Sequence, residues 1–130
     1  MDDVVFGDRE LDVMGVLWDL GSGTVAEVRE SLPADLAYTT VLTILRNLEA
    51  KDLLRHTTEG KAHRYHPLVA RRVARRSALT RIVEKLFQGS PEQLVAQLVE
   101  DDALSAADLR RLRALLATQE KKAGKPETKK

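Results

Sequence analysis

Apolar positions in the first fifty residues recur at helical spacing. Leu11, Met14, Leu17 and Trp18 stand at i, i+3, i+6 and i+7 and predict a helix near residues 8–20. Gly7 is placed as its N-cap, Glu10 occupies the capping-box position, and Phe6 and Leu11 are placed as a hydrophobic staple. Gly21-Ser22-Gly23 stops this helix. Thr24-Val25-Ala26-Glu27 is a second capping box, and Val25, Val28 and Leu32 line a short helix ended by Pro33. A third helix runs from Ala37 or Tyr38 to about Lys51, with Val41, Ile44, Leu45 and Leu48 as its buried stripe.

The period then changes. Leu54–Thr58 and His63–Pro67 read as two short strands around a turn containing Gly60, and Ser22–Thr24 can add a third. The helical pattern returns from Leu68 to Gln88, where Leu79, Ile82, Val83, Leu86 and Phe87 share a face and Arg71, Arg72, Arg75 and Arg76 lie near the start. Gly89 breaks it. Ser90-Pro91-Glu92-Gln93 combines an N-cap, a Pro at the first helical position and a capping-box Gln ahead of Leu94, Val95, Leu98 and Val99. Leu104-Ser105, with Leu109, starts a last helix carrying Leu112, Leu115 and Leu116.

Three helices followed by a hairpin make the winged variant of the helix-turn-helix. The expected fold is mainly α with a small β-hairpin wing: a winged helix-turn-helix plus a C-terminal helical dimerisation segment. The expected organisation is a DNA-binding domain over residues 1–67, a linker helix and dimerisation helices over 68–122, and a disordered tail over 123–130. Some 55 residues of amphipathic helix have too little interior to bury their own Leu-rich faces, so a partner chain is the simplest remedy. The residues expected to meet it are Leu94, Val95, Leu98, Val99, Leu109, Leu112 and Leu116.

Composition narrows the chemistry. The chain has 130 residues, is 43% hydrophobic and 32% charged, and contains no cysteine, which excludes a disulfide scaffold, a thiolate metal site and a cysteine nucleophile. With 4% aromatic residues, the core is expected to be aliphatic. The opening Met1-Asp2-Asp3-Val4 lacks the basic and apolar runs of a signal peptide, and no stretch is apolar enough for membrane insertion, so a cytoplasmic protein is expected. The net charge of +1 hides an asymmetry: residues 1–50 carry three basic against ten acidic residues, and residues 51–90 carry ten basic against three acidic. The basic stretch points to a polyanion.

The third helix shows which polyanion. At about 100° per residue, Leu45 and Leu48 fall within about 40° of Val41, while Thr39, Thr43, Arg46 and Ala50 gather on the opposite face with Thr40 and Asn47 to one side. Arg pairs with guanine, Asn with adenine, and Thr offers a hydroxyl or a methyl, so Thr39, Thr40, Thr43, Arg46 and Asn47 suit the major groove of double-stranded DNA. On the hairpin, Arg55, Lys61, His63 and Arg64 are placed to hold phosphates, contacts that position a protein without reading sequence.

Several stretches also carry a family likeness. They are Glu10–Met14, Leu17-Trp18, Thr24–Val28, Ala37–Leu45 with Leu48, Lys51 and Leu53, the wing His63–Pro67, and the run Leu86–Ser90, Leu94-Val95, Leu104-Ser105, Leu109 and Leu112. In order and spacing they resemble the penicillinase-repressor family, the BlaI/MecI/CopY type, over residues 6–118. The resemblance implies a homodimeric repressor of inverted-repeat (palindromic) operators, inactivated in some members when a membrane sensor for β-lactam triggers proteolysis in the dimerisation region. The matching dipeptide is Gln97-Leu98, where the best-known members have Asn-Phe, and position 42 is Leu where some relatives carry a base-contacting Arg. Without cysteine pairs, the copper-sensing branch's mechanism is excluded.

Two other classes compete. A metal or hydrolytic site would draw on His56, His63 and His66, but His63 and His66 point to opposite faces of a strand, and no further ligand set, nucleophile pair or phosphate loop is present. Neither an enzyme, a metal nor a cofactor is expected. A winged helix used as a protein-interaction module, without specific DNA binding, is the alternative that the acidic first third supports.

Overall fold

Helix α1 (Asp8–Leu20) opens the fold in a computed structural model that describes residues 5–124. The opening tetrapeptide and residues 125–130 of the expected tail lie outside the described residues. Gly7 caps α1, and its N–H donates to Glu10 Oε1 at 3.0 Å. The helix buries Val13, Met14, Val16 and Leu17. Leu11, expected in a staple with Phe6, is exposed, and the Phe6 ring lies edge-on to Trp18 with centroids 6.4 Å apart.

Strand β1 (Gly23–Thr24) leads into α2 (Val25–Ser31), where Thr24 and Glu27 complete both halves of the capping box. Gly23 allows a close approach there: a Cβ would sit 3.2 Å from Val28 Cγ2 and 3.4 Å from Leu17 Cδ2, so those side chains would have to give by a few tenths of an ångström. Helix α3 (Tyr38–Ala50) buries Val41, Leu45 and Leu48, with Ile44 half-buried. Its C-cap residue Lys51 reaches back to Glu10, Nζ lying 2.9 Å from Oε1, and so joins the end of α3 to the start of α1.

Strands β2 (Leu54–Glu59) and β3 (Ala62–Pro67) form the hairpin, and β1 pairs with β3 to give an antiparallel sheet in the order β1-β3-β2. The two-residue loop is Gly60-Lys61, with Gly60 at φ 61° as the first position of a type II′ turn demands. Against the expectation of a purely aliphatic core, Tyr65 is its largest fully buried side chain. It joins the aliphatic residues of α1, α2 and α3 because the β1–β3 pairing turns this position of β3 inward.

Helix α4 (Arg71–Leu86) starts three residues later than its apolar period suggests. The backbone ahead of it is committed elsewhere: Leu68 N–H donates to Leu53 O at 2.9 Å, and Val69 O accepts from Trp18 Nε1 at 2.8 Å. Gln88 and Gly89, both at positive φ, follow its end. In α5 (Pro91–Glu100) Ser90 Oγ accepts from Gln93 N–H, but the return half of the expected box is absent among the described residues because Ser90 N–H already donates to Phe87 O. Helix α6 (Ala106–Ala123) is capped reciprocally by Ser105 and Asp108. It extends through Glu120-Lys121-Lys122-Ala123, good helix formers whose lysines complement the negative end of the helix dipole, so Ala123, placed in the expected tail, is helical.

The described residues divide into two compact units between Arg81 and Ile82, inside α4. The first holds the whole hydrophobic core. In the second, no described side chain is buried.

Several titrating groups tie folding to pH. Burial pushes the Glu10 carboxyl up, but Lys51 and the Gly7 N–H outweigh it and hold it below the usual range. The Arg64 guanidinium and then the Thr24 N–H lower Glu27, and the Ser105 N–H lowers Asp108. Burial, then Arg55 and Arg64, lowers His66. Each group has a folded pKa below its unfolded one, so its contribution is complete above the unfolded value and is lost as pH falls through the folded one. The melting temperature should therefore decline in two steps on acidification: a shallow one below about pH 6.5 from His66 and a steeper one below about pH 4 from the carboxylates. His66→Gln should remove the upper step alone in a calorimetric pH series.

Candidate nucleic-acid interface

Helix α3 separates two functions around its circumference. Val41, Leu45 and Leu48 lock it into the core, and Thr39, Thr40, Thr43, Arg46, Asn47 and Ala50 are exposed on the other side. All five residues expected to read bases therefore share one accessible surface. Thr43 Oγ1 donates to Thr39 O at 2.9 Å, which leaves its methyl and lone pairs for a ligand. Among the described residues, the Arg46 and Asn47 side chains make no hydrogen bond or ion pair. The fork that matches guanine and the amide that matches adenine are both open.

The wing distributes its four expected contacts unevenly. Lys61 sits at the exposed turn, and Arg55 is exposed on β2 opposite His66; neither makes an ion pair among the described residues. His63 lies instead in a stack with His56, centroids 4.1 Å apart and planes 13° from parallel. His56 Nδ1 is 2.6 Å from Glu49 Oε2, which ties β2 to the last turn of α3. His66 lies on the other face, with Nε2 3.0 Å from Thr57 Oγ1, as strand alternation requires.

Arg64 is engaged within the chain. Its Nε donates to Glu59 Oε1 at 2.9 Å, Nη1 and Nη2 donate to Glu27 Oε1 and Oε2 at 3.1 Å each, and Nη1 also reaches Ser22 Oγ at 3.2 Å. The two carboxylates hold its guanidinium above its ordinary pKa. The sequence reading missed Glu27, Glu59 and Glu49 as partners of the wing. A signal for the first existed: pairing Ser22–Thr24 with the second hairpin strand sets Arg64 opposite Thr24, whose capping-box partner is Glu27.

The residues expected at a dimer interface lie on α5 and α6, where Val95, Leu98, Val99, Leu109 and Leu116 are exposed and Leu94 and Leu112 are half-buried. Gln97 and Leu98 fall inside α5, and Gln97 Nε2 donates to Asp101. Among the described residues there is no cluster of metal-ligating side chains, and no helix is long and apolar enough to cross a membrane.

Comparison with known proteins gives the chain's family. Over 68 residues the chain is 46% identical to the transcriptional regulator BlaI of Mycobacterium tuberculosis (strain H37Rv), an alignment covering 50% of this chain and 49% of that protein. The chain thus spans about half the length of the curated relatives it matches. Among solved structures, the DNA-binding domain of the repressor BlaI is 32% identical, with 51% of this chain and 83% of that one covered and a TM-score of 0.48. The CopR repressor structure is 34% identical, with 51% and 99% covered and a TM-score of 0.44. A family model described as penicillinase repressor matches residues 6–118, and the chain belongs to that family of transcriptional regulators, not to the enzymes.

Proposed function

We propose that this chain is a sequence-specific DNA-binding repressor that acts in the cytoplasm as a homodimer on an inverted-repeat operator. The observation that carries this reading is the exposed face of α3, where Arg46 and Asn47 have no hydrogen-bond or ion-pair partner among the described residues. In this reading Thr39, Thr40, Thr43, Arg46 and Asn47 meet base edges, and Arg55 and Lys61 meet phosphates. His63 adds a contact beside the wing turn, and Arg64 acts by holding the wing to α2. Residues 1–67 bind DNA, and residues 68–122 supply the linker and the dimer contact. A second copy is the occupant suited to the apolar faces of α5 and α6, because a two-fold dimer matches a palindromic duplex.

The resemblance extends this reading to a β-lactam-responsive membrane sensor whose signal leads to cleavage at Gln97-Leu98. That bond lies within a helix, so α5 has to open locally before a protease can take it as extended chain.

Selection of bound fragments from genomic DNA, followed by mobility shifts on the winners, tests the reading. An enriched inverted repeat is expected. Lys61→Ala should weaken binding to that repeat and to random DNA alike, and reduce the slope of log K against log salt by about 0.9. Uniform recovery of all fragments would overturn the reading.

A further inference from the structure

We infer that the exposed arginine stripe on α4, formed by Arg72, Arg75 and Arg76, is a second phosphate-binding surface for duplex DNA outside the base pairs read by α3. The inference rests on the DNA-binding reading above and adds a site to it. The three residues stand at i, i+3 and i+4 and so share one helix face. Ala74, the buried residue of α4, lies on the opposite side. Arg71 is exposed but engaged with α1: its Nη2 donates to Asp19 Oδ1 at 2.7 Å and to Gly15 O at 3.2 Å, and its guanidinium carbon lies 5.4 Å from the Trp18 ring centroid. With Arg71 holding the first turn of α4 to α1, the other three arginines are exposed, and among the described residues they have no hydrogen bond or ion pair.

This arrangement is unfavourable for the chain alone. Like charges at i, i+3 and i, i+4 repel, and cations in a first turn oppose the helix dipole. Along the chain no acidic residue occurs between Glu59 and Glu84, and Asp19, which meets the first turn of α4, is engaged by Arg71. The cations from residue 62 to residue 84 are all Arg and never Lys, the choice suited to bidentate phosphate contacts. Arg72 and Arg76 rise about 6 Å apart along the helix, nearly twice the axial spacing of about 3.4 Å per phosphate on one strand, so the pair spans about two phosphate steps.

The stripe also sits where the wing tip does not reach. Pro67 pairs with Leu54 at the base of the hairpin, and α4 starts four residues beyond it. A six-residue strand puts that base about 20 Å from Lys61 at the tip, a length that duplex DNA covers in about six base pairs. On a duplex that runs along the hairpin, contacts made by the stripe would therefore fall on different phosphates.

The test compares the full chain with its Arg72→Gln/Arg75→Gln/Arg76→Gln variant on two duplexes: the selected half-site alone, about 12 base pairs, and the same half-site with long flanks. On the flanked duplex the variant should bind more weakly and lose about two to three units of salt slope, so that a fourfold rise in salt weakens the wild type about 16–64-fold more than the variant. On the bare half-site the two should match. The triple Lys variant should keep the slope, and the Gln variant should melt no lower than wild type. Equal slopes on the flanked duplex would overturn the inference and leave the DNA-binding reading standing, and equal losses on both duplexes would move the stripe into the half-site and overturn it too. Loss of poly-glutamate binding with DNA binding unchanged would assign the stripe to an acidic protein instead. If no operator emerges but the variant loses slope on random duplex, the stripe stands as a phosphate surface and the sequence-specific reading fails. If the wild type binds no duplex at all, both fall.

Discussion

A chain ending at Gln88 should sediment as a monomer and bind a full inverted repeat about 10²–10⁴-fold more weakly than the intact protein. The core residues, from Val13 to Tyr65, all precede the cut, as does Ala74, so the winged unit should melt as it does in the full chain. What is removed is α5 and α6, helices without a buried described side chain and with Val95, Leu98, Val99, Leu109, Leu115 and Leu116 open to water. Burial of one such side chain is worth roughly 1.5–3 kcal/mol. A partner surface that covers several of them outweighs the entropy of association and makes the second half-site an intramolecular target. Sedimentation of the shortened chain as a dimer, or of the intact chain as a monomer at micromolar concentration, would refute this role for the segment.

Two adjacent residues of α3 should fail in opposite ways. Leu45 is fully buried, and Leu45→Ala should cost about 2–5 kcal/mol of folding stability through lost contacts and the cavity left behind. Its neighbour Arg46 is exposed, and Arg46→Ala should leave the melting temperature within a degree or two of wild type while weakening operator binding by about 1–3 kcal/mol, with random DNA hardly affected. Chemical denaturation and paired mobility shifts separate the two outcomes. Equal losses on operator and random DNA for Arg46→Ala would remove α3 from the role of reader.

The contrast also marks what could be read before the fold was seen. A helix with one apolar stripe declares both its buried and its exposed face, so Val41, Leu45 and Leu48 and the polar set opposite them follow from periodicity alone. Capping boxes and glycines place helix ends for the same local reason: Thr24 with Glu27 and Ser105 with Asp108 bond as their spacing implies. Periodicity is silent about contacts between elements distant in sequence. Leu11 fits the stripe of α1 yet stays exposed, and the Phe6 ring lies against Trp18. The beginning of α4 follows from the indole N–H of Trp18, 51 residues earlier, which engages the carbonyl of Val69. Arg64 and Lys61 look equivalent as basic wing residues, and only the third dimension shows one engaged by two carboxylates and the other open at the turn.

The Arg64 fork bears on how binding free energy is used. A hairpin anchored only through its two strand ends would sample many orientations in solution, and each encounter with a duplex would have to freeze one of them. Here one guanidinium spans Ser22, Glu27 and Glu59, and the His56–Glu49 contact joins the same hairpin to the end of α3. The reading helix and the wing thus meet a ligand as one preorganised body, and little conformational entropy remains to be lost on contact. In the proposed complex, phosphate contacts made by Arg55 and Lys61 would then register α3 in its groove instead of being spent on immobilising the wing.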